Sequence, residues 1–262
     1  MRWRRSRKPA SRAGPEGASI AALRLAVAFL TIVPVRLAGA APPLGAAAPW
    51  FPVVGAAIGA LAGAVAYVAA LALGPGVAAV LAVTVLVVTT GGLHHDGLAD
   101  CADGLGVRGD RERRLAVMRD SSIGTFGALA LLLSLLLFVA ALGGLDREPA
   151  LRALVIAAAL GRWAVLVHAV SARPARPDGL GASFTVGVVG FALASAAAAG
   201  AALVLAGVVR GLAVVAVAGA VALVISGWSR TALGGRTGDT LGATVVLAEV
   251  AVVVTLRGLS GG

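Results

Sequence analysis

Asp96, Asp100 and Asp103 stand at i, i+4 and i+7 in the stretch Gly91-Gly-Leu-His-His-Asp-Gly-Leu-Ala-Asp-Cys-Ala-Asp-Gly104. On a helix that spacing gathers three carboxylates within about 60° of arc. Like charges so placed repel, and more strongly where lipid or protein removes water, so a cation is expected to compensate them. Hard oxygen donors suit Mg²⁺ or Mn²⁺, which bind through a few carboxylates and take waters and substrate phosphates as further ligands. The substrate class this favours is a diphosphate. A solvated acidic helix end is the competing reading. It is weakened because these are three of only 12 acidic residues and adjoin an apolar run, where ionisable groups are functional by default.

Other polar residues fall in a few blocks. His94 and His95 suit a general base, a hydrogen-bond donor, a metal ligand or a simple interfacial cap. In Met118-Arg-Asp-Ser-Ser-Ile-Gly-Thr-Phe-Gly127, Asp120, Ser121 and Ser122 read as a helix N-cap region, whose free N–H groups can also receive a phosphate. Arg119 beside them is placed either to grip that phosphate or to anchor a basic loop. Further on, Arg236 and Asp239 sit in the Gly-rich turn Leu233-Gly-Gly-Arg-Thr-Gly-Asp-Thr-Leu-Gly-Ala243, of a kind that brings backbone N–H groups close to an anion. Glu249 lies inside the apolar run that follows, as a buried ion or hydrogen-bond partner or a protonated structural group, and His168 reads as a helix-packing residue. Cys101 is the lone cysteine, which excludes a disulfide framework or a cysteine-based zinc site within one chain.

The elements that must position these groups are membrane helices. With 59% hydrophobic and 13% charged residues in 262, the chain has too little polar surface to cover a water-soluble globule. Ala, Val, Leu and Gly make up the apolar mass, so close helix packing is expected. A net charge of +10 would suggest nucleic acid in a soluble protein, but six of the 22 basic residues fall between Arg2 and Arg12. That is a juxtamembrane tail facing anionic lipid, and no nucleic-acid partner is expected. Seven stretches reach the roughly 20 apolar residues needed to span: Trp50 to Leu73, Val77 to Leu93, Ile123 to Leu142, Leu151 to Val170, Phe184 to Ala206, Gly211 to Trp228 and Thr240 to Leu256. The acidic cluster directly continues the second.

Ile20 to Val35 is an eighth candidate. Followed by Ala38-Gly39-Ala40, it imitates a signal peptide with a cleavage site, but Arg24, Pro34 and the membrane protein beyond it speak against cleavage. If it spans, the basic tail and the Arg108 to Arg119 loop fall on opposite faces. If it lies in the interface or re-enters, the tail and the loops bearing Arg108 to Arg119, Arg173 with Arg176, and Arg230 with Arg236 all become cytoplasmic. The expectation is thus an all-α polytopic bundle of about seven transmembrane helices plus an N-terminal interfacial or re-entrant helix. Residues 1–18 are expected to be a disordered cytoplasmic tail and 19–262 one integral membrane catalytic domain.

Several motifs, in order, resemble the cobalamin synthase family, also called adenosylcobinamide-GDP ribazoletransferase. They are Phe29-Leu-Thr-Ile-Val-Pro-Val35, Trp50-Phe-Pro-Val-Val-Gly55, the acidic stretch Gly91 to Gly104, Met118 to Gly127, Arg173-Pro, Asp178-Gly-Leu-Gly181 and Gly235-Arg-Thr-Gly-Asp-Thr-Leu-Gly-Ala243. The match runs from about Ala28 to Glu249. The resemblance implies that adenosylcobinamide-GDP and α-ribazole (or its 5′-phosphate) give adenosylcobalamin (or its 5′-phosphate) and GMP, with Mg²⁺, at the bacterial inner membrane. On that footing Asp96, Asp100 and Asp103 are the expected metal ligands. Arg119, Ser121, Arg236 and Asp239 are expected to contact substrate, with Asp120 and Asp239 as further candidates for the metal, and His94, His95 or Asp120 to serve the hydroxyl proton. The lipid bilayer is a partner, and a homo-oligomer or a complex with other cobalamin-assembly enzymes stays open.

Three other activities fit parts of the pattern. A CDP-alcohol phosphotransferase performs the same reaction type, but its longer Asp-Gly…Ala-Arg…Gly…Asp…Asp pattern is missing. A UbiA-like prenyltransferase should show a second Asp-x-x-x-Asp. A proton-coupled transporter could relay protons through Asp239, Glu249 and His168, yet leaves the acidic cluster unexplained.

Overall fold

A computed structural model describes residues 15–37 and 41–260, and no β-strand occurs among them. The basic residues before position 15 and the cleavage-like Ala38-Gly39-Ala40 lie outside the described residues. The helices are α1 (Pro15–Leu30), α2 (Phe51–Ala69), α3 (Gly74–Thr89), α4 (Leu93–Gly106), α5 (Arg111–Val117), α6 (Thr125–Gly143), α7 (Arg147–Ser171), α8 (Leu180–Ser183), α9 (Val188–Ala206), α10 (Val208–Leu233) and α11 (Gly238–Gly258), with a 3₁₀ segment over Leu44–Trp50 leading into α2. Among the described residues six helices are long and apolar enough to cross a membrane, and the count reaches seven if the bent pair α3 and α4 is taken as one span. Helices satisfy their backbone internally, which the hydrocarbon demands. The expected all-α bundle of about seven spans therefore stands.

At the centre are α7 and α11, whose most apolar windows are 78% and 72% buried, whereas α6 and α9 are only 28% and 17% buried and present rows of leucine and valine outward. Small residues set the spacing. Gly55, Gly59 and Gly63 form one stripe on α2, and a Cβ on any of them would strike α7 at Ala158, Leu154 or Leu151 in turn. That small-xxx-small ridge lets two antiparallel backbones touch, the close packing that favours helix association in lipid.

The starts of α2, α6 and α11 and the ends of α3, α7 and α10 gather at one end of the bundle, here the mouth. α1 is shorter than a spanning helix. It buries Ala22, Ala26 and Leu30 against the 3₁₀ segment and α2 while Arg24 stays exposed. Its end is pinned near the mouth, where the Ile32 N–H donates to Thr89 O at 2.9 Å.

One expectation is corrected. The acidic stretch does not continue the second span: the chain breaks after Thr89 and α4 leaves at 90° to α3. Gly91 and Gly92 make the corner, with φ of 60° and 72°, a region L side chains avoid. α4 thus lies across the mouth, over the first turns of α6 and α11, outside the spanning rods.

Candidate active site

Close contact fixes α4. Gly97 crosses α11 at Gly242, and a Cβ on Gly97 would come within 2.8 Å of Asp239 O. This crossing brings Asp239, in the first turn of α11, beside Asp96 and Asp100. At the other end of α4, Asp103 is 9% exposed and accepts from the Gly124 N–H at 2.7 Å and the Gly127 N–H at 2.8 Å. Gly124 is the N-cap of α6 and has no capping side chain of its own, so Asp103 supplies the carboxylate that satisfies the orphan N–H groups. A Cβ on either glycine would collide with that carboxylate.

Two sequence readings change as a result. Asp103 takes on a structural duty the spacing did not announce, because each of its oxygens accepts one N–H from the start of α6. Asp120, Ser121 and Ser122 are not the N-cap of that helix. Asp120 instead closes a local turn, accepting from the Ser122 N–H at 2.9 Å and hydroxyl at 2.7 Å, contacts that hold its carboxyl below the usual range.

Asp96 is exposed and Asp100 half-buried, and neither has a hydrogen-bond or ion-pair partner among the described residues. Burial, then the charges of Asp239, Asp96 and Asp103, push the Asp100 carboxyl up to about 7. Asp239 has weak company, with Arg176 at 3.8 Å and the Thr237 hydroxyl donating at 3.2 Å. Among the described residues no three His, Cys, Asp or Glu side chains converge as a finished metal cage. The donors do fit a hard cation that keeps waters and takes phosphate oxygens, as Mg²⁺ does.

The arginines divide by role. Arg111 donates to Leu233 O at 2.7 Å and Ala175 O at 2.5 Å, and Arg114 to Gly104 O at 2.9 Å and Leu105 O at 3.0 Å, so these two cap helix and loop carbonyls. Arg236 is also a strut. It is 6% exposed and its guanidinium donates to Ala172 O and, at 2.8 Å, to Phe184 O, holding the loop after α7 against the turn before α11. That departs from a free diphosphate grip, although Arg236 still lines a cavity. Arg119 is exposed, 3.6 Å from an equally exposed Asp178, a pair too solvated to hold it fixed.

Three cavities meet at the carboxylates. A broad one of about 790 Å³ is lined by Asp96, Asp100, Arg119, Asp120 and Ser121. The second, of about 310 Å³, is lined by Arg119, Arg176, Asp178, Arg236 and Asp239. A third, of about 180 Å³, is mostly apolar but touches His94, Asp96, Arg162 and Asp239. His94 is buried, and burial followed by the charges of Arg162 and His95 keeps it well below its ordinary range, hence neutral. His95 is shifted down by burial and then Arg162, and its Nδ1 is buried without a partner among the described residues.

Within the bundle, Glu249 pairs with Arg162, their side chains 4% and 2% exposed. His168 lies within hydrogen-bond distance of the Thr244 hydroxyl at 2.8 Å and the Ser229 hydroxyl at 3.3 Å. Both groups are engaged structurally. Sequence reasoning missed Arg162 and Arg176 as site residues. The signal for Arg162 was available, since a carboxylate inside a span needs a counter-ion.

Fold and mouth together define a polytopic membrane protein with a carboxylate- and arginine-lined site at one face. The description "Cobalamin-5-phosphate synthase" matches residues 22–257, and the chain belongs to that family. It is 47% identical over 241 residues to the adenosylcobinamide-GDP ribazoletransferase of Xanthobacter autotrophicus, covering 84% of this chain and 86% of that one. It is 41% identical over 237 residues to the enzyme of the same name from Roseiflexus sp. (88% and 87%), and 36% over 241 residues to that of Geotalea daltonii (90% and 97%). No solved structure matches.

Proposed function

We propose that this chain catalyses the transfer its relatives are named for, in late nucleotide-loop assembly of cobalamin. Adenosylcobinamide-GDP and α-ribazole, or its 5′-phosphate, give adenosylcobalamin, or its 5′-phosphate, and GMP. The ribose hydroxyl oxygen attacks the cobinamide-side phosphorus, the bond to the GMP oxygen breaks, and the hydroxyl proton passes to a base. Adenosylcobinamide-GDP and α-ribazole are thus the substrate partners. The observation that carries the reading is that three cavities adjoin at the mouth carboxylates, Asp96 lining the broad and the apolar one and Asp239 the apolar and the arginine-lined one.

Asp96 and Asp100, with Asp239 in place of Asp103, would hold Mg²⁺ or Mn²⁺. When bound, that ion neutralises phosphate charge as it develops and aligns attacking and leaving oxygens. Arg119 and Arg176 offer the diphosphate its positive charge, and the exposed Ser121 a hydroxyl donor. The hydroxyl proton would pass to His94, which lies beside Asp96, or to one of the carboxylates; Asp120 is exposed and tied into its own turn. Most of the rate would come from positioning and charge neutralisation. Arg108, Arg111, Arg113, Arg114, Arg119, Arg173, Arg176, Arg230 and Arg236 all belong to the mouth end, which supports a cytoplasmic mouth in the bacterial inner membrane.

The test is purified protein in lipid nanodiscs, supplied with adenosylcobinamide-GDP and α-ribazole with and without Mg²⁺. GMP and cobalamin are expected in equal amounts only with the metal. Folded protein that yields no GMP in Mg²⁺ overturns the reading.

A further inference from the structure

The apolar cavity has its own construction. Phe29, Phe51 and Phe184 form a continuous stack along its wall, with ring centroids 5.9 Å apart at 18° for the first pair and 5.5 Å at 14° for the second. Val165 and Leu241 also line it. Its volume of about 180 Å³ is below the roughly 300–1,000 Å³ of whole-ligand sites, so it suits one ring system and not a nucleotide or a corrin.

Arg162 lines the same cavity at 1% exposure. One terminal nitrogen of its guanidinium is engaged by Glu249, but Nε is buried with no hydrogen-bond partner among the described residues. A buried donor left unmade is costly and calls for an acceptor. Asp96 and Leu93 wall both this cavity and the broad one, so a ligand seated here emerges beside the carboxylates.

We infer that the cavity seats the base of the acceptor nucleoside, an inference that rests on the function proposed above and deepens it. A flat, largely apolar benzimidazole-type ring packs on the phenylalanine stack, and its one free ring nitrogen accepts from the Arg162 Nε–H. The sugar leads out past Asp96 and presents its hydroxyl to the diphosphate in the broad cavity.

Binding of α-ribazole to the full chain in nanodiscs with EDTA, followed by calorimetry, tests this without turnover. Two comparisons are needed: the Val165→Phe variant, which narrows the cavity, and an α-riboside whose free ring nitrogen is replaced by C–H, which leaves the protein untouched. Each is expected to weaken α-ribazole binding about 10- to 100-fold, which for the altered riboside is the range of a lost hydrogen bond to a charged group, while adenosylcobinamide-GDP binding to the variant, measured in Mg²⁺, stays within twofold. Equal binding of the two ribosides, or a Val165→Phe variant that weakens adenosylcobinamide-GDP instead, overturns the inference. Absence of GMP in the turnover assay while α-ribazole still binds in this pattern sinks the proposed reaction and leaves the base site standing. No α-ribazole binding at all sinks the base site.

Discussion

The bundle interior and the mouth treat their acids in opposite ways. Between α7 and α11, Glu249 has Arg162 against it, and His168 is bracketed by Thr244 and Ser229. At the mouth, Asp96 and Asp100 have no partner among the described residues, and Asp239 has only a distant arginine and a threonine hydroxyl. Asp103 belongs with the interior in this respect, although it shares a helix with the other two. Acids that hold the fold have both oxygens or a counter-ion accounted for. The mouth acids do not, which leaves their oxygens open to a ligand.

The largest expected effect is on chemistry at the mouth. Asp100→Asn should lower turnover about 10²–10³-fold, the scale of losing a group that stabilises transition-state charge, with thermal stability unchanged or raised by relief of repulsion. Parallel turnover and thermal-melt measurements check it; a variant that melts early would move Asp100 to the structural side. Next comes the interior: Glu249→Leu leaves Arg162 charged and unpaired, which should destabilise by about 3–5 kcal/mol. Adding Arg162→Leu should recover most of that loss, as read from denaturant titration in detergent.

Asp103→Ala tests the borderline case. It should cost about 0.5–2 kcal/mol, as loss of a helix N-cap does, while turnover per folded molecule stays within about tenfold. A collapse of turnover in a stable Asp103→Ala protein would restore it as a metal ligand. The smallest effect belongs to Asp178→Asn: its pair with Arg119 is exposed at both ends, so stability should move by less than about 1 kcal/mol, with turnover little altered.

Much of this was legible in the sequence for physical reasons. Apolar runs of spanning length can do little in water but aggregate, so the helices and their number follow from composition. The family motifs fall where the mouth is built: Trp50 to Gly55, Gly91 to Gly104, Met118 to Gly127 and Gly235 to Ala243. What stayed hidden depends on contacts far apart in the chain. Asp103 reads as a third ligand by spacing, and only the approach of Gly124 and Gly127 turns it into a cap. The corner at Gly91-Gly92 was masked because Leu93 continues the apolar run. Arg236 looks like a phosphate grip in its Gly-rich turn, and only the folded chain shows that its two terminal nitrogens also hold Ala172 O and Phe184 O. Asp239 rose in importance because Gly97 lets α4 lie directly on α11.

The central claim is that the unpartnered carboxylates at the mouth hold the divalent ion. The Mg²⁺ concentration for half-maximal GMP release, measured for the unaltered protein, Asp96→Asn and Asp178→Asn, addresses it directly. At least about a tenfold rise is predicted for Asp96→Asn, with Asp178→Asn within twofold of the unaltered protein. An unchanged Mg²⁺ requirement in Asp96→Asn, or full turnover in EDTA, would contradict it.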